Sequence, residues 1–293
     1  MRILITGASG FIGGTLYCSS PDKYDVWGTY HQSPVKTGDS QFIELNLLDY
    51  IETTNVLNSV NPDVIIHCAA LSKVSFCQNH PSSAWDLNNK ATEHLVKLIN
   101  DDIINTRLIF LSSDMVFNGQ KGDYCESDQP DPINLYGQTK LAAEEHVARL
   151  GAKGTVLRLN LVYGRPVMGG SSFSEEVIHV VKSGKPYHLF VDQHRSFMSV
   201  KNLTRCIWEV VASDFHGVLH LGGNEPADRV IFAYKLARKA GLNTSLLLTS
   251  NNQGGGRDVP YPKNNTFDLS LAKSLLKTRL LAIDDGLDLE YPP

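Results

Sequence analysis

A short apolar run, RILIT (residues 2–6), breaks directly into TGASGFIGG (6–14), and this junction constrains the fold more than any other stretch of the chain. Gly7, Gly10 and Gly13 give a G-x-x-G-x-x-G spacing immediately after a strand pattern and at the opening of a helical one. Each glycine has a physical reason to be there. Gly7 permits a tight turn, Gly10 lets backbone approach a pyrophosphate, and Gly13 allows close packing of helix on strand. The helix N-terminus then offers N–H groups and a dipole to a diphosphate, with Ser9, Phe11 and Ile12 inside the same loop. A plain βα turn would also use glycine, but the position at the first strand of an alternating chain favours a dinucleotide loop.

The alternation continues. DVWGTY (25–30) and QFIEL (41–45) read as strands, and DYIETTNVLNSV (49–60) as a helix. DVIIHCAA (63–70) is a continuous apolar run of the kind buried on both faces of a parallel sheet, followed by a long helix over about 83–100. RLIFLSS (107–113) is the next strand, NLYGQTKLAAEEHVARL (134–150) a helix rich in Ala, Leu and Glu, and TVLRLNLVYG (155–164) a further strand. This order predicts an α/β, Rossmann-type, doubly wound parallel sheet with right-handed crossovers. Past residue 165 the rhythm loosens. Residues 1–164 are expected to form a dinucleotide-binding domain, and 165–293 mainly a smaller α/β substrate-side domain with some segments returning to the sheet.

Composition removes several classes. The 293 residues carry a net charge of −4 and no long Lys/Arg run, which argues against nucleic acid as the main partner. No apolar run is long enough to span a bilayer, and the first one is broken at Gly7, so a cytoplasmic protein is expected. The five cysteines are scattered without a CxxC, which predicts free thiols and neither a disulfide framework nor a zinc site. His67 reads as a satisfied core histidine, and no metal is expected.

A dinucleotide site that takes NAD usually has Asp or Glu at the end of the second strand, to bind the ribose 2′-hydroxyl. Here that region reads GTYHQSPVK (28–36) and holds no acid; His31, Gln32, Ser33 and Lys36 could meet a 2′-phosphate instead. NADP(H) is therefore the preferred expectation, with NAD(H) possible. Asn46 and Leu47, after the third strand, are placed to border the adenine. The small residues of CAAL (68–71), with Ala69, Ala70 and Leu71, leave room for the dinucleotide to pass the strand end.

The LIFLSSD strand ends in Ser112, Ser113 and Asp114, where a parallel sheet points polar groups into its ligand crevice. Tyr136 opens the next helix, and Lys140 follows one turn later on the same face. Chance could supply one Tyr-x-x-x-Lys spacing in a chain with 11 tyrosines, so its neighbourhood decides. Downstream of a glycine loop and a strand-end serine, the pair suits ketone reduction. Tyr136 would donate the proton, Lys140 would lower the phenol's pKa and hold ribose hydroxyls, and Ser113 would polarise the substrate oxygen.

Several longer motifs carry a resemblance. TGASGFIG, PDVIIHCAA, DLNNKAT (86–92), SSDMVFNG (112–119), YCESDQPDPINLYGQTKLAAEE (124–145), LRLNLVYG and YPKNNTFDLSLAKSLL (261–276) are similar to the extended short-chain dehydrogenase/reductases, and within them to the dTDP-4-dehydrorhamnose reductase family. The resemblance implies Ser113, Tyr136 and Lys140 as the catalytic trio and Asn88 as support for the site. It also implies Asp114, Met115, Val116, Leu161 and Arg257 on the substrate side, a nucleotide-diphospho-4-keto-6-deoxysugar as substrate, and a homodimer. Met115, Leu161, Tyr261, Phe197 and Met198 stand where the family usually has other residues, all expected in or near the sugar-side cleft. Met115 also occupies the place of the glutamate that sugar-nucleotide dehydratases use, and a thioether cannot exchange protons, so dehydration is disfavoured. The chain resembles as well the regulatory β-subunit of methionine adenosyltransferase, which leaves a non-catalytic NADP-binding subunit open beside a reductase or a 4-epimerase.

Overall fold

The computed structural model describes residues 1–33, 41–101, 103–250 and 259–292. Six strands form most of the main sheet: β1 (Arg2–Thr6), β2 (Asp25–Tyr30), β3 (Phe42–Glu44), β4 (Val64–His67), β5 (Arg107–Ser113) and β6 (Gly154–Leu159). The seventh is Gly217–Leu221, and the order is Gly217–Leu221, β6, β5, β4, β1, β2, β3. Every pairing in this sheet is parallel. The chain runs outward from β1 in one direction and then resumes at β4 in the other, so the strand order reverses between β1 and β4. A crevice opens at the carboxyl ends of the strands at such a switch point.

The strands form because successive side chains find apolar partners on opposite faces. Ile3, Ile5, Ile66, Ile109, Leu111 and Leu157 enter one core, with Leu16, Leu203 and Ile207 from covering helices. Leu4, Ile65, Leu108, Phe110 and Val156 enter the other, under Leu57, Leu95, Leu98 and Val147. That two-sided burial explains the uninterrupted apolar text of VIIH, all four residues of which are buried. The expected strand at 155–164 divides in two. β6 stays in the sheet, while Val162–Tyr163 leaves it to pair with Met198–Ser199. The third core, around Tyr163, Val177, Leu189, Phe197, Phe232 and Leu287, lies among the later helices and short strands. The Val200–Val211 helix and the Gly217–Leu221 strand return to the main sheet's layers.

The expected long helix over 83–100 begins at Pro81 and contains a π turn, Asp86–Lys90, between two α-helical stretches. A π turn inserts an extra residue and re-aims side chains, and Asn88 sits within it, buried. The Leu135–Ala148 helix is capped by Asn134, whose side chain accepts from the Gly137 N–H at 2.9 Å. Its first turn lies directly on the Asp114–Val116 turn that follows β5. A Cβ at Gly137 would come within 2.1 Å of the Met115 carbonyl oxygen. Because the obstacle is backbone, Gly137→Ala is expected to displace the helix start and destabilise the protein by about 1–3 kcal/mol. Urea denaturation of the variant checks this; unchanged stability would mean that the helix can retreat without strain.

Candidate active site

The glycine loop has the geometry its spacing predicts. Gly7 has φ +67°, and any Cβ there would lie 2.8 Å from the Ala69 Cα. Gly13 packs so closely that a Cβ would fall 2.3 Å from the Gly7 carbonyl oxygen. Gly10, in extended conformation, starts the Phe11–Cys18 helix without a side-chain cap. A cradle closed to any Cβ, at a helix N-terminus whose cap is backbone alone, fits a diphosphate group. The loop that leads to the Phe173–Lys182 helix lies over it. A Cβ at Gly169 would be 2.6 Å from the Ser9 carbonyl, and one at Gly170 would be 2.7 Å from the Phe11 nitrogen.

The glycine loop forms one side of a cleft of about 940 Å³. Gly7, Gly10, Phe11, Ile12, Gly13, Ala70, Ser113, Asp114, Met115, Tyr136, Lys140 and Leu161 all line it. Residues that the sequence reading did not single out line it too, among them Phe173, Tyr187, Arg195 and Arg229. Ser9 contributes its backbone beneath the covering loop. Ala69 backs Gly7, and Leu71 is held by Asn88 rather than standing in the cleft wall. The Asn88 carboxamide accepts from the Leu71 N–H at 2.8 Å, and donates to the Leu71 carbonyl at 3.0 Å and to Thr139 Oγ1 at 3.1 Å. Its polar atoms are therefore engaged in fixing the strand end and the helix, and it acts on the cleft through them. His31 and Gln32 are exposed at the end of β2, Asn46 is half-buried and Leu47 is buried. Arg257 and Lys36 lie outside the described residues.

Some placements correct the sequence reading. Val116 is fully buried in the core and does not reach the cleft, because the Asp114–Val116 turn rotates it inward. Phe197 and Met198 are buried just behind the cleft, Phe197 beside the cleft-lining Phe173 ring and Met198 in the cluster that includes the cleft-lining Leu159. His67 is a satisfied core histidine, between Thr6 Oγ1 at 2.6 Å and Thr92 Oγ1 at 3.2 Å.

Ser113, Tyr136 and Lys140 converge at the end of β5. Ser113 Oγ donates to Asp114 Oδ1 at 3.1 Å, accepts from the Met115 N–H at 3.2 Å, and is near enough to the Tyr136 phenol to lower its pKa. Lys140 Nζ stands 3.9 Å from the centre of the Phe110 ring. The expected acidification of the phenol by Lys140 is not what the structure shows. Burial pushes Tyr136 above its ordinary value, and the opposing influence is Ser113. Burial also drives Lys140 down to about 7, against the pull of Glu144. With both groups removed from water, the uncharged forms of phenol and amine are favoured.

Two buried ion pairs flank this cluster. Asp114 Oδ2 lies 2.9 Å from Arg195 Nε, and the Arg195 guanidinium also donates to the carbonyls of His194, Lys263 and Pro262. Burial raises the Asp114 pKa even with Arg195 beside it. On the other side, Arg158 Nη2 donates to Glu144 Oε2 at 2.7 Å, and Ser112 Oγ donates to Glu144 Oε1.

A doubly wound parallel sheet, a glycine-rich loop at its first βα junction and a cleft at its switch point define a Rossmann-type α/β protein. The chain belongs to the RmlD substrate binding domain family, whose pattern matches residues 1–288. A probable low-salt glycan biosynthesis reductase of Haloferax volcanii is 27% identical, over 98% of this chain and 96% of that protein. Methionine adenosyltransferase 2 subunit beta of Bos taurus is 30% identical, over 94% of this chain and 82% of that protein. Among solved structures, a hypothetical dTDP-4-dehydrorhamnose reductase of Sulfolobus tokodaii superposes with a TM-score of 0.86 at 29% identity, covering 98% of this chain and 99% of the other. A UDP-glucuronic acid 4-epimerase of Bacillus cereus, solved with UDP-glucuronic acid and NAD, gives 0.84 at 26%, covering 99% and 98%. Among the described residues, no helix is long and apolar enough to cross a membrane.

The depressed Lys140 pKa makes a prediction for the protein without ligands. In the unfolded chain the lysine stays charged up to about pH 10.4, whereas in the folded protein it releases its proton near 7. Between those values the unfolded state binds more protons, so this group's contribution to stability rises with pH across the window. Lys140→Met is expected to be more stable than the parent at pH 7, by on the order of a few kcal/mol, and to flatten that rise. Denaturation at pH 6, 7.5 and 9 measures both effects.

Proposed function

We propose that this protein is an NADP(H)-preferring reductase of the 4-keto group of a nucleotide-diphospho-6-deoxy-4-ketosugar. The observation that carries the reading is the convergence of Ser113, Tyr136 and Lys140 in one cleft wall, facing the glycine cradle. The family and the reductases among its relatives support it. The preference for NADP(H) rests on the end of β2, where exposed His31, Gln32 and Ser33 occupy the place of an acid. A nicotinamide dinucleotide would be held by Gly7, Gly10 and Gly13 at its diphosphate and by Lys140 at its ribose hydroxyls. When bound in reduced form it supplies the hydride.

The protein's own groups handle the oxygen. Ser113 donates a hydrogen bond to the substrate carbonyl, and that bond strengthens as negative charge develops. The Tyr136 phenol transfers its proton to the same oxygen. A phenol whose pKa burial has raised suits this direction of reaction. It keeps its proton near neutrality until a more basic alkoxide forms beside it. A 4-epimerase would use the same phenol in both directions, first taking a proton from a sugar hydroxyl and then returning one. Met115, half a turn from Ser113 and lining the cleft, offers no proton for dehydration.

The 30% identity to the methionine adenosyltransferase β-subunit favours a second reading, a dinucleotide-binding regulatory subunit without turnover. Absorbance of NADPH separates the two when the protein is mixed with a panel of 4-keto-6-deoxy sugar nucleotides. The reductase reading expects turnover that Tyr136→Phe lowers by about 10²- to 10⁴-fold while dinucleotide binding persists. Tight NADPH binding with no oxidation across the panel would defeat it in favour of the subunit.

A further inference from the structure

Met115 stands at the reacting end of the cleft. Its backbone N–H donates to Ser113 Oγ at 3.2 Å, and its side chain belongs to one buried apolar cluster with Val74 and Tyr136. Val259 and Tyr261 pack against the same cluster, and all five residues line the cleft. They come from four segments: the turn after β5, the Val74–Asn79 helix, the Leu135–Ala148 helix and the stretch at 259–261.

Asn134 ties three of these segments together. Its amide nitrogen donates to the Met115 sulfur at 3.8 Å and to the Pro260 carbonyl at 3.2 Å, while its oxygen caps the Leu135–Ala148 helix through the Gly137 N–H. Methionine ordinarily adapts to whatever space is offered. Here the thioether is anchored at its sulfur, so the wall is formed before any ligand arrives.

The chemistry of that wall is one-sided. The side chains of Val74 and Val259 have no donor or acceptor, and the Met115 sulfur, a weak acceptor, is engaged by Asn134. The Tyr261 phenol lies near enough to Arg195 to act on its charge, and Arg195 itself is paired with Asp114. Of the polar lining residues next to Val74, Ser72, Lys73 and Asn79 are exposed to solvent and Ser75 is half-buried. In a 4-ketosugar the two carbons beside the carbonyl carry different groups, a hydroxyl on one and C6 on the other. With the carbonyl at Ser113 and Tyr136, one of these groups faces Met115. A hydroxyl turned to this wall would leave water without finding a partner, whereas a methyl group loses nothing there.

We propose that Met115 is a specificity-determining residue: held by Asn134, it forms with Val74 and Val259 a wall that receives C6 of the sugar as a methyl group and rejects it as a hydroxymethyl or a carboxylate. The assignment rests on the ketosugar-nucleotide reading above and places the discrimination on one side chain.

Binding tests this without turnover. In protein saturated with NADPH, sugar nucleotides that already carry a 4-hydroxyl cannot be reduced, so calorimetry reads affinity alone. Two series, built on glucose and on galactose and each linked to UDP and to dTDP, vary only at C6: methyl, hydroxymethyl or carboxylate. The 6-deoxy member is expected to bind about 10- to 100-fold tighter than the hexose, and the uronate more weakly still. Met115→Leu keeps the wall apolar and should preserve that ratio. Met115→Gln is close in size and can pair with a hydroxyl, so it should narrow the ratio about tenfold, chiefly through tighter binding of the hexose. Val74→Thr, which adds a hydroxyl to the same wall at nearly constant shape, serves as a second variant and should narrow it likewise. Equal binding of all three compounds by the parent, a preference for the uronate, or an unchanged ratio in both polar variants overturns the proposal. A 6-deoxy preference in a protein that oxidises no NADPH with any ketosugar nucleotide would sink the reductase reading and leave the assignment of Met115 standing. Binding of none of the compounds would defeat both.

Discussion

The cleft depends on one backbone contact: the first turn of the Leu135–Ala148 helix rests on the carbonyl of Met115 at a distance only glycine permits. Asn134 secures that approach. Its side chain caps the helix through the Gly137 N–H and donates to the carbonyl of Pro260, so a single residue fixes the helix start against a distant loop. Everything chemical follows from this seat. With Gly137 against the Asp114–Val116 turn, Tyr136 meets Ser113 at the end of β5 and Lys140 falls over the Phe110 ring. The tyrosine and lysine of YGQTK are thus positioned by the glycine between them, which the four-residue spacing alone would not reveal.

Local features were legible in the sequence, and long-range ones were not. RLIFLSS is the strand Arg107–Ser113 to the residue, and VIIH forms the heart of β4, because residues buried on both faces leave continuous apolar text. The glycine loop could be read because each glycine answers a backbone demand that no other residue meets. Val116 could not be placed, because its direction is set by a single 3₁₀ turn after the strand rather than by the strand's alternation. Arg195 escaped notice for a different reason. Its role comes from Asp114, 81 positions earlier, and from the carbonyls of Pro262 and Lys263, far along the chain. A buried charge looks like a solvated one in sequence, and nothing near HRSF marks it. The loop over Ser9 and Phe11 was likewise visible only as glycine-rich text.

The phenol shows how the electrostatics of one side chain can differ between sequence and folded chain. Spacing suggested a cation lowering the Tyr136 pKa, as it would between two solvated groups. In the folded chain both groups have left water, and desolvation acts on each more strongly than any mutual attraction: it raises the acid and lowers the base. Proximity on a helix face gives the partners of a titration; burial determines its direction.

The buried charges flanking the cleft then have a common logic. Asp114–Arg195 and Glu144–Arg158 lie on either side of Ser112 and Ser113, and replacing such pairs with apolar residues often leaves a fold no less stable. Stability is therefore a poor explanation for their presence beside a cleft. Fixed dipoles and charges that need no reorganisation are, by contrast, the ingredient by which a site stabilises charge as it develops. Asp114 and Arg195 lock the strand end to the loop that brings Tyr261 to the cleft, while Glu144 and Arg158 lock the same strand to the helix of Tyr136 and Lys140. The fold is common to relatives named as reductases and to a methionine adenosyltransferase subunit, so any difference in what such a site does comes from its side chains and not from the sheet.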